Sequence, residues 1–486
     1  MQILKKELKE KLENHIYNKL EKKKYEVLEI YSSQLLKSYT FDLAFKLFYL
    51  EYKNKNLSLA RLVYYSHIRA YNFFKVKEYG NLKKNTLEDF EKFFIKTYES
   101  IKNNGFDLQK SVIPLTYDKN YLNGSHRISS SIFFKKKIHV LNTNLENFLI
   151  TDFNFFFKKA VKPHIIEKVL KSYINYIEGL HIAFIWPSAK GKVSEINKLI
   201  NNKIYTKEIK LNSIGAHNLL AEVYKEHKWV GNSKNNYKGT IGKLKECFKS
   251  FDNPIRIIVF IEKNQSKVIE IKDQIRKIFN IGKHSIHITD EKDEAVSLSK
   301  LIFNNNGIHF LNNANPYKFI HTEKKLINFK KKLLRDKIPF DKIVVTGSYM
   351  LELYGIRKAR DIDYINLKNH SSKSEEINTT IIKYFKINKE DLVYDDNYFF
   401  EFKGLKFISF DQLYYMKIKR NEIKDERDVK IMKSFIKNDK YTLYKTRLKQ
   451  YLYFTTILIK VKIIELLKFF KIHSSVKKIY NFIKTF

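Results

Sequence analysis

Cysteine is nearly missing from this chain. Cys247 is the single one in 486 residues, so no disulfide can close within the chain and no thiolate cluster can hold a metal. A reducing cytoplasm suits such a composition. Proline and glycine are also scarce, at 6 and 14 residues, which excludes collagen-like and turn-dominated architectures. No charge-free apolar run reaches spanning length. The opening stretch, MQILKKELKEKLENHIYNKLEKKK, reads as a charged amphipathic helix and lacks the apolar centre of a signal peptide. The expectation is a cytoplasmic protein, with attachment to the inner face of a membrane left open.

What is abundant is apolar and basic. Hydrophobic residues make up 44% and aromatics 15%, enough to bury real cores and to argue against wholesale disorder. Lys and Arg number 92 against 52 Asp and Glu, a formal net charge of +40. That charge would attract nucleic acid, nucleotides, anionic lipid or phosphorylated glycan. Lys, Asn, Ile, Tyr and Phe are enriched together, however, as in the coding sequence of an AT-rich genome. Charge alone therefore selects no partner.

The length predicts several domains, and the expected class is α/β (α+β), multidomain. Residues 1–145 read as a helical region followed by short β-like runs from Ser111. Residues 146–315 alternate strand-like runs (HIAFIWP, IRIIVFIE, HSIHIT) with helical ones, a pattern of α/β units. The Asn-rich stretch NNNGIHFLNNANPYK reads as a linker. Residues 316–440 form a further α/β unit, and 441–486 a basic helical tail.

The richest signal is FDKIVVTGSYMLELYGIRKARDIDYINL. Ile343–Val345 form a short buried strand ending at Thr346-Gly347-Ser348, a helix follows, and Arg360–Ile365 form the next strand. Carboxylates two residues apart on a strand share one face, so Asp361 and Asp363 can hold hard divalent cations, which prefer oxygen ligands. Gly347 allows close approach of a phosphate to the backbone, and Ser348 places a hydroxyl at the start of a helix. This pattern resembles the DNA polymerase β-like nucleotidyltransferase superfamily. The resemblance implies that Asp361 and Asp363 bind Mg²⁺ (or Mn²⁺) that holds a nucleoside triphosphate and activates an acceptor hydroxyl. It implies a third acid on a later strand, best matched by Glu401, with Asp396 the rival. Gly347, Ser348, Arg360 and Lys417 are the corresponding nucleotide-binding candidates. Lys417, Lys424, Asp425 and Asp428 match a Lys helix followed by a KDxxD-type segment.

A second motif lies at Asn123-Gly124-Ser125-His126-Arg127, before the short helix ISSSIFFKKK. A glycine turn, helix amides and an arginine fork suit a phosphate. The segment is similar to the Asp-Gly-His-His-Arg element of the ParB/sulfiredoxin-like fold. Here Asn123 stands for the Asp and Ser125 for the first His. The resemblance implies nucleotide binding, ATP or CTP, by Gly124, Ser125, His126 and Arg127, in a fold that includes small-molecule kinases and CTP-binding clamps.

Other features stay open. His284, His287 and Asp290 read as a metal site, as core or rim histidines, or as acid–base groups at a phosphate. Ser188–Lys192 offers phosphate donors without a full P-loop pattern. The tail from residue 451 fits an interfacial helix on anionic lipid or a helix packed on the body. The combination resembles fused enzymes of bacterial surface-polysaccharide loci. It implies a Mg-dependent nucleotidyl- or phosphotransferase acting on a small-molecule or glycan precursor. An RNA or tRNA nucleotidyltransferase and a non-catalytic nucleotide-binding module are the alternatives.

Overall fold

The computed structural model describes residues 1–72, 76–77, 83–146, 150–367, 379–437 and 439–470. The last part of the expected basic tail, residues 471–486, lies outside them. Among the described residues the chain is mixed α/β, with three four-stranded sheets.

The first sheet contains β1 (Gln2–Leu4), β2 (Lys24–Tyr31), β3 (Ile113–Leu115) and β4 (Lys137–Asn142), in the order β1-β2-β4-β3. The opening residues are therefore not one amphipathic helix. A strand, a 3₁₀ turn at Lys5–Leu8 and a short helix at Asn14–Tyr17 lead into β2. Leu8, Leu12, Ile16 and Leu20 keep the four-residue spacing that suggested a helix, and all are buried beside Tyr25 and Val27. In β2 Tyr25 and Val27 point inward between exposed charges, the alternation of a half-buried strand.

The second sheet contains β5 (Leu180–Ile185), β6 (Lys203–Ile209), β7 (Ile255–Ile261) and β8 (Ile286–Ile288), in the order β6-β7-β5-β8. Alternating strands and helices suggest parallel pairing, yet every neighbouring pair here is antiparallel. The result is a split β-α-β arrangement. One face packs Ile196, Val268 and Ile275 from two helices against Ala183, Ile185, Ile258 and Phe260. The other face, with Ile182, Phe184, Ile257 and Val259, joins the main core. Covered on both sides, β7 reads as an apolar run, IRIIVFI, broken only by Arg256, instead of alternating.

The expected linker at NNNGIHFLNNANPYK is instead a packed helix, Asn305–Asn313, with Gly307, Phe310 and Leu311 buried. Asn304 caps it by accepting from the amides of Asn306 and Gly307. Asn218 Nδ2 donates to Leu311 O and Ala314 O at the other end, both at 2.8 Å. Asparagine here satisfies helix ends; it does not mark a loop.

The third sheet carries the site. It contains β9 (Ile343–Thr346), β10 (Asp363–Asn366), β11 (Phe399–Phe402) and β12 (Leu405–Ile408), ordered β10-β9-β12-β11. β9 pairs antiparallel with β10 and parallel with β12. One apolar cluster runs from Leu35 to Met432, so the segments share a continuous core. The chain ends, among the described residues, in a 30-residue helix, Lys440–Phe469.

Candidate active site

Ile343, Val344 and Val345 are completely buried and set β9 in the middle of its sheet, so the turn after it is held firmly. Gly347 makes that turn with φ +71°, a conformation that suits only glycine. A Cβ at Gly347 would collide with Asp363 Oδ2. The Asp363 carboxylate thus lies directly over the glycine backbone, as the pairing Asp363↔Thr346 requires. Strand β10 starts at Asp363 and not at Arg360. Asp361 sits just before it and is exposed, while Ile362 and Tyr364 are buried. The one-face geometry of the two acids survives the shorter strand. Burial, then the neighbouring Asp361, raises the pKa of Asp363. Arg360 is exposed next to them.

Beside the acids is a buried ionic network. Arg357 Nη2 donates to Ser348 Oγ at 3.0 Å, and its Nε and Nη2 grip both oxygens of Asp428 at 2.8 and 2.7 Å. Lys417 Nζ lies 2.8 Å from Asp428 Oδ2 and 3.0 Å from Asp425 Oδ1. Arg420 closes the chain with bonds of 2.6 and 2.7 Å to Asp425. Both aspartates are fully buried. Burial alone would raise the Asp428 pKa, but Arg357 and Lys417 bring it down to about 2. Three cations face two anions, and the surplus positive charge lies toward Asp363, whose carboxylate feels Lys424, Lys417 and Arg420. Lys417 is 1% exposed and fully engaged, so it orders the network; it is not free to grip a phosphate. The helix Ser348–Leu353 has six residues, which limits what its dipole can contribute.

Glu401 is not brought to these aspartates. It lies on β11, with β12 and β9 between it and β10, three strand spacings or about 14 Å away. Its carboxylate pairs with Lys300 at 2.9 Å and lines a separate cavity of about 450 Å³ with Glu51, Lys55, Lys171 and Lys406. Asp396 lines the same cavity, clamped by Lys168 and Lys171. Neither can complete a metal site with Asp361 and Asp363. Among the described residues no group of three or more His, Cys, Asp or Glu is arranged to hold a metal ion. Two carboxylates nonetheless fit Mg²⁺, which commonly takes one or two from the protein and fills its octahedron with water and phosphate oxygens.

In the second motif the glycine turn is present, with Gly124 at φ +98° before the helix Ser125–Phe133. His126 turns inward. Its Nε2 is 2.9 Å from Tyr64 Oη, its ring stacks on Phe94 at 4.4 Å, and burial holds its pKa well below the ordinary value. It is a neutral core histidine. Ser125 is half-buried, and its carbonyl accepts from Ser129. Arg127 is largely buried, which lowers its pKa, while the charge of Glu13 acts to raise it.

The histidines of the middle segment do not converge. His284 lies in a 3₁₀ turn, Gly282–His284, while His287 on β8 bonds Glu294 at 2.9 Å. Lys272 pairs with Asp290. Ser188 Oγ and Lys192 Nζ donate to the carbonyls of Glu246 and Ile278, so both are committed to the protein's own backbone. Two residues that sequence reasoning missed shape the candidate site, Arg357 and Arg420. Each stands four residues before an acid or lysine of the motif, in GIRKARD and KRNEIKD. Compared with known protein families, curated proteins and solved structures, the chain matches none.

Proposed function

We propose that the chain is a Mg²⁺-dependent nucleotidyltransferase, with its centre at Asp361 and Asp363. One observation carries this reading: a half-buried carboxylate lies over a positive-φ glycine that no side chain could occupy, with a second carboxylate two residues away. Two adjacent acids in a partly dry site repel each other unless a cation joins them. A divalent cation held there would supply charge neutralisation for a triphosphate and a lowered pKa for an acceptor hydroxyl. Gly347 leaves room for a phosphate to approach the backbone. Arg357 donates to the Ser348 hydroxyl, which follows Gly347 in the chain. The surplus charge of the Arg357–Lys417–Arg420 network favours the anionic substrate over the empty site. An acceptor hydroxyl, giving up its proton to water, or an acceptor phosphate oxygen would form a bond to the α-phosphorus in line, as the bond from that phosphorus to the α–β bridging oxygen breaks and pyrophosphate leaves with the electron pair.

The test is release of pyrophosphate from each nucleoside triphosphate with Mg²⁺. Asp361→Asn and Asp363→Asn should each lower the rate at least a hundredfold. Without divalent cation, Asp363→Asn should match or exceed the wild type in stability, by up to about 1 kcal/mol, because like-charge repulsion is removed. Mg²⁺ should raise the melting temperature of the wild type but not of the variant. Full turnover in either variant would sink the assignment.

A further inference from the structure

The terminal helix, Lys440–Phe469, is out of proportion to what it packs against. Thirty residues make a rod about 45 Å long, and its main neighbour is the helix Ile423–Ile436. Leu448, Leu452, Ile459, Ile463, Leu466 and Phe470 are 47–62% exposed. At 3.6 residues per turn these six fall within a stripe about 60° wide. They form an apolar face turned to solvent, interrupted midway only by Thr455 and Thr456, of a kind that marks an interaction surface.

Charge decides what covers it. The helix carries Lys440, Lys445, Arg447, Lys449, Lys460, Lys462 and Lys468 against one acid, Glu465. A second copy would bring seven like charges against seven, with a single acid on each helix to offset them. Nucleic acid would satisfy the lysines but leave the stripe in water. The charges are too many for a span, and no described helix is long and apolar enough to cross a membrane. We infer that this helix lies in the interface of an anionic lipid surface, with the Leu448–Phe470 stripe among the acyl chains and Lys449, Lys460 and Lys462 at the headgroups. Each lysine near such a surface strengthens binding about fivefold, and the stripe adds a contribution that salt does not screen. The inference is independent of the chemistry at Asp361 and Asp363.

Sedimentation of the full chain with vesicles tests it. Binding is expected to vesicles of phosphatidylcholine with phosphatidylglycerol, and to fall at least tenfold on phosphatidylcholine alone. Ile459→Ser with Ile463→Ser changes only exposed positions, so the fold is preserved, and should cut binding at least tenfold at high salt. Lys460→Gln with Lys462→Gln should cut it about 25-fold at low salt. Several outcomes overturn the proposal. They are absence of vesicle binding, binding unchanged by both pairs of substitutions, or a dimer that the serine pair converts to monomer. Binding of RNA that depends on the same serine pair, without binding of vesicles, would also overturn it.

Discussion

At the scale of single residues, the site rests on charges that no single side chain could hold in place alone. Asp428 shows this most clearly. It is buried, its carboxylate is shared by Arg357 and Lys417, and its pKa lies at about 2 against an ordinary 3.8. A carboxylate held below its unfolded value contributes stability above that value and loses it as pH falls through the folded one. The contribution is thus full above about pH 4 and disappears between pH 4 and 2. Asp428→Asn should cost about 3–5 kcal/mol at neutral pH, because two buried cations lose a counter-charge. Its stability should also fall less steeply between pH 4 and 2. Denaturant unfolding of both chains across this range checks it. An unchanged midpoint would mean that the network is ornamental. The paired acids Asp361 and Asp363 were legible in the sequence because strand alternation is local. The third acid was not. Glu401 satisfied alternation on its own strand, but only the sheet order shows that β12 and β9 intervene. His126 was misread for the same reason, since nothing local says that Tyr64 and Phe94 stand behind it.

At the scale of elements, local pattern was a good guide where one face was buried and a poor one where polar residues did structural work. The runs behind β5, β7 and β9 were plain because burial on both faces leaves mostly apolar side chains. β2 was hidden because its exposed positions mix charges with Leu28 and Tyr31, which blurs the alternation, and its span follows a lysine-rich helical spacing. In the sequence the helix Asn305–Asn313 reads as a linker because asparagine marks loops and caps alike. Asn304 does two jobs there: it caps the helix and donates Nδ2 to Phe399 O at 2.9 Å, tying the helix to β11. Asn304→Ala should therefore cost about 2 kcal/mol, roughly half for the cap and half for the buried bond. Asn304→Ser, which keeps the cap alone, should recover about half of that. Equal losses in the two variants, read by thermal or chemical unfolding, would show that the cap is not a source of stability.

At the scale of the whole molecule, the segments that look like separate domains in the sequence share one core. Phe41 and Phe45, early in the chain, pack on Phe156 and Tyr173, with ring centroids 4.7–6.3 Å apart. Asn56 Nδ2 reaches Asp391 at 2.6 Å. Lys168 bonds Asp395 at 2.7 Å and also clamps Asp396, at 5% exposure of its own side chain. Units joined by buried rings and buried ion pairs should unfold together, since opening one exposes the apolar face of the next. A fragment of residues 1–145 lacks the helices Phe153–Lys158 and Pro163–Ile174 that cover Phe41 and Phe45. It should be largely unfolded or aggregated, so nucleotide binding by Arg127 is testable only in the full chain. There, Arg127→Ala should weaken nucleotide binding by about 1.5–3 kcal/mol if its guanidinium meets a phosphate. Lys168→Met removes the ammonium but keeps most of the stem, and should cost about 3–5 kcal/mol by leaving two buried carboxylates without it. Calorimetry of the full chain should show one dominant transition, which Lys168→Met shifts as a whole. Two well-separated transitions, with only one of them displaced by Lys168→Met, would show that the shared core does not couple the units.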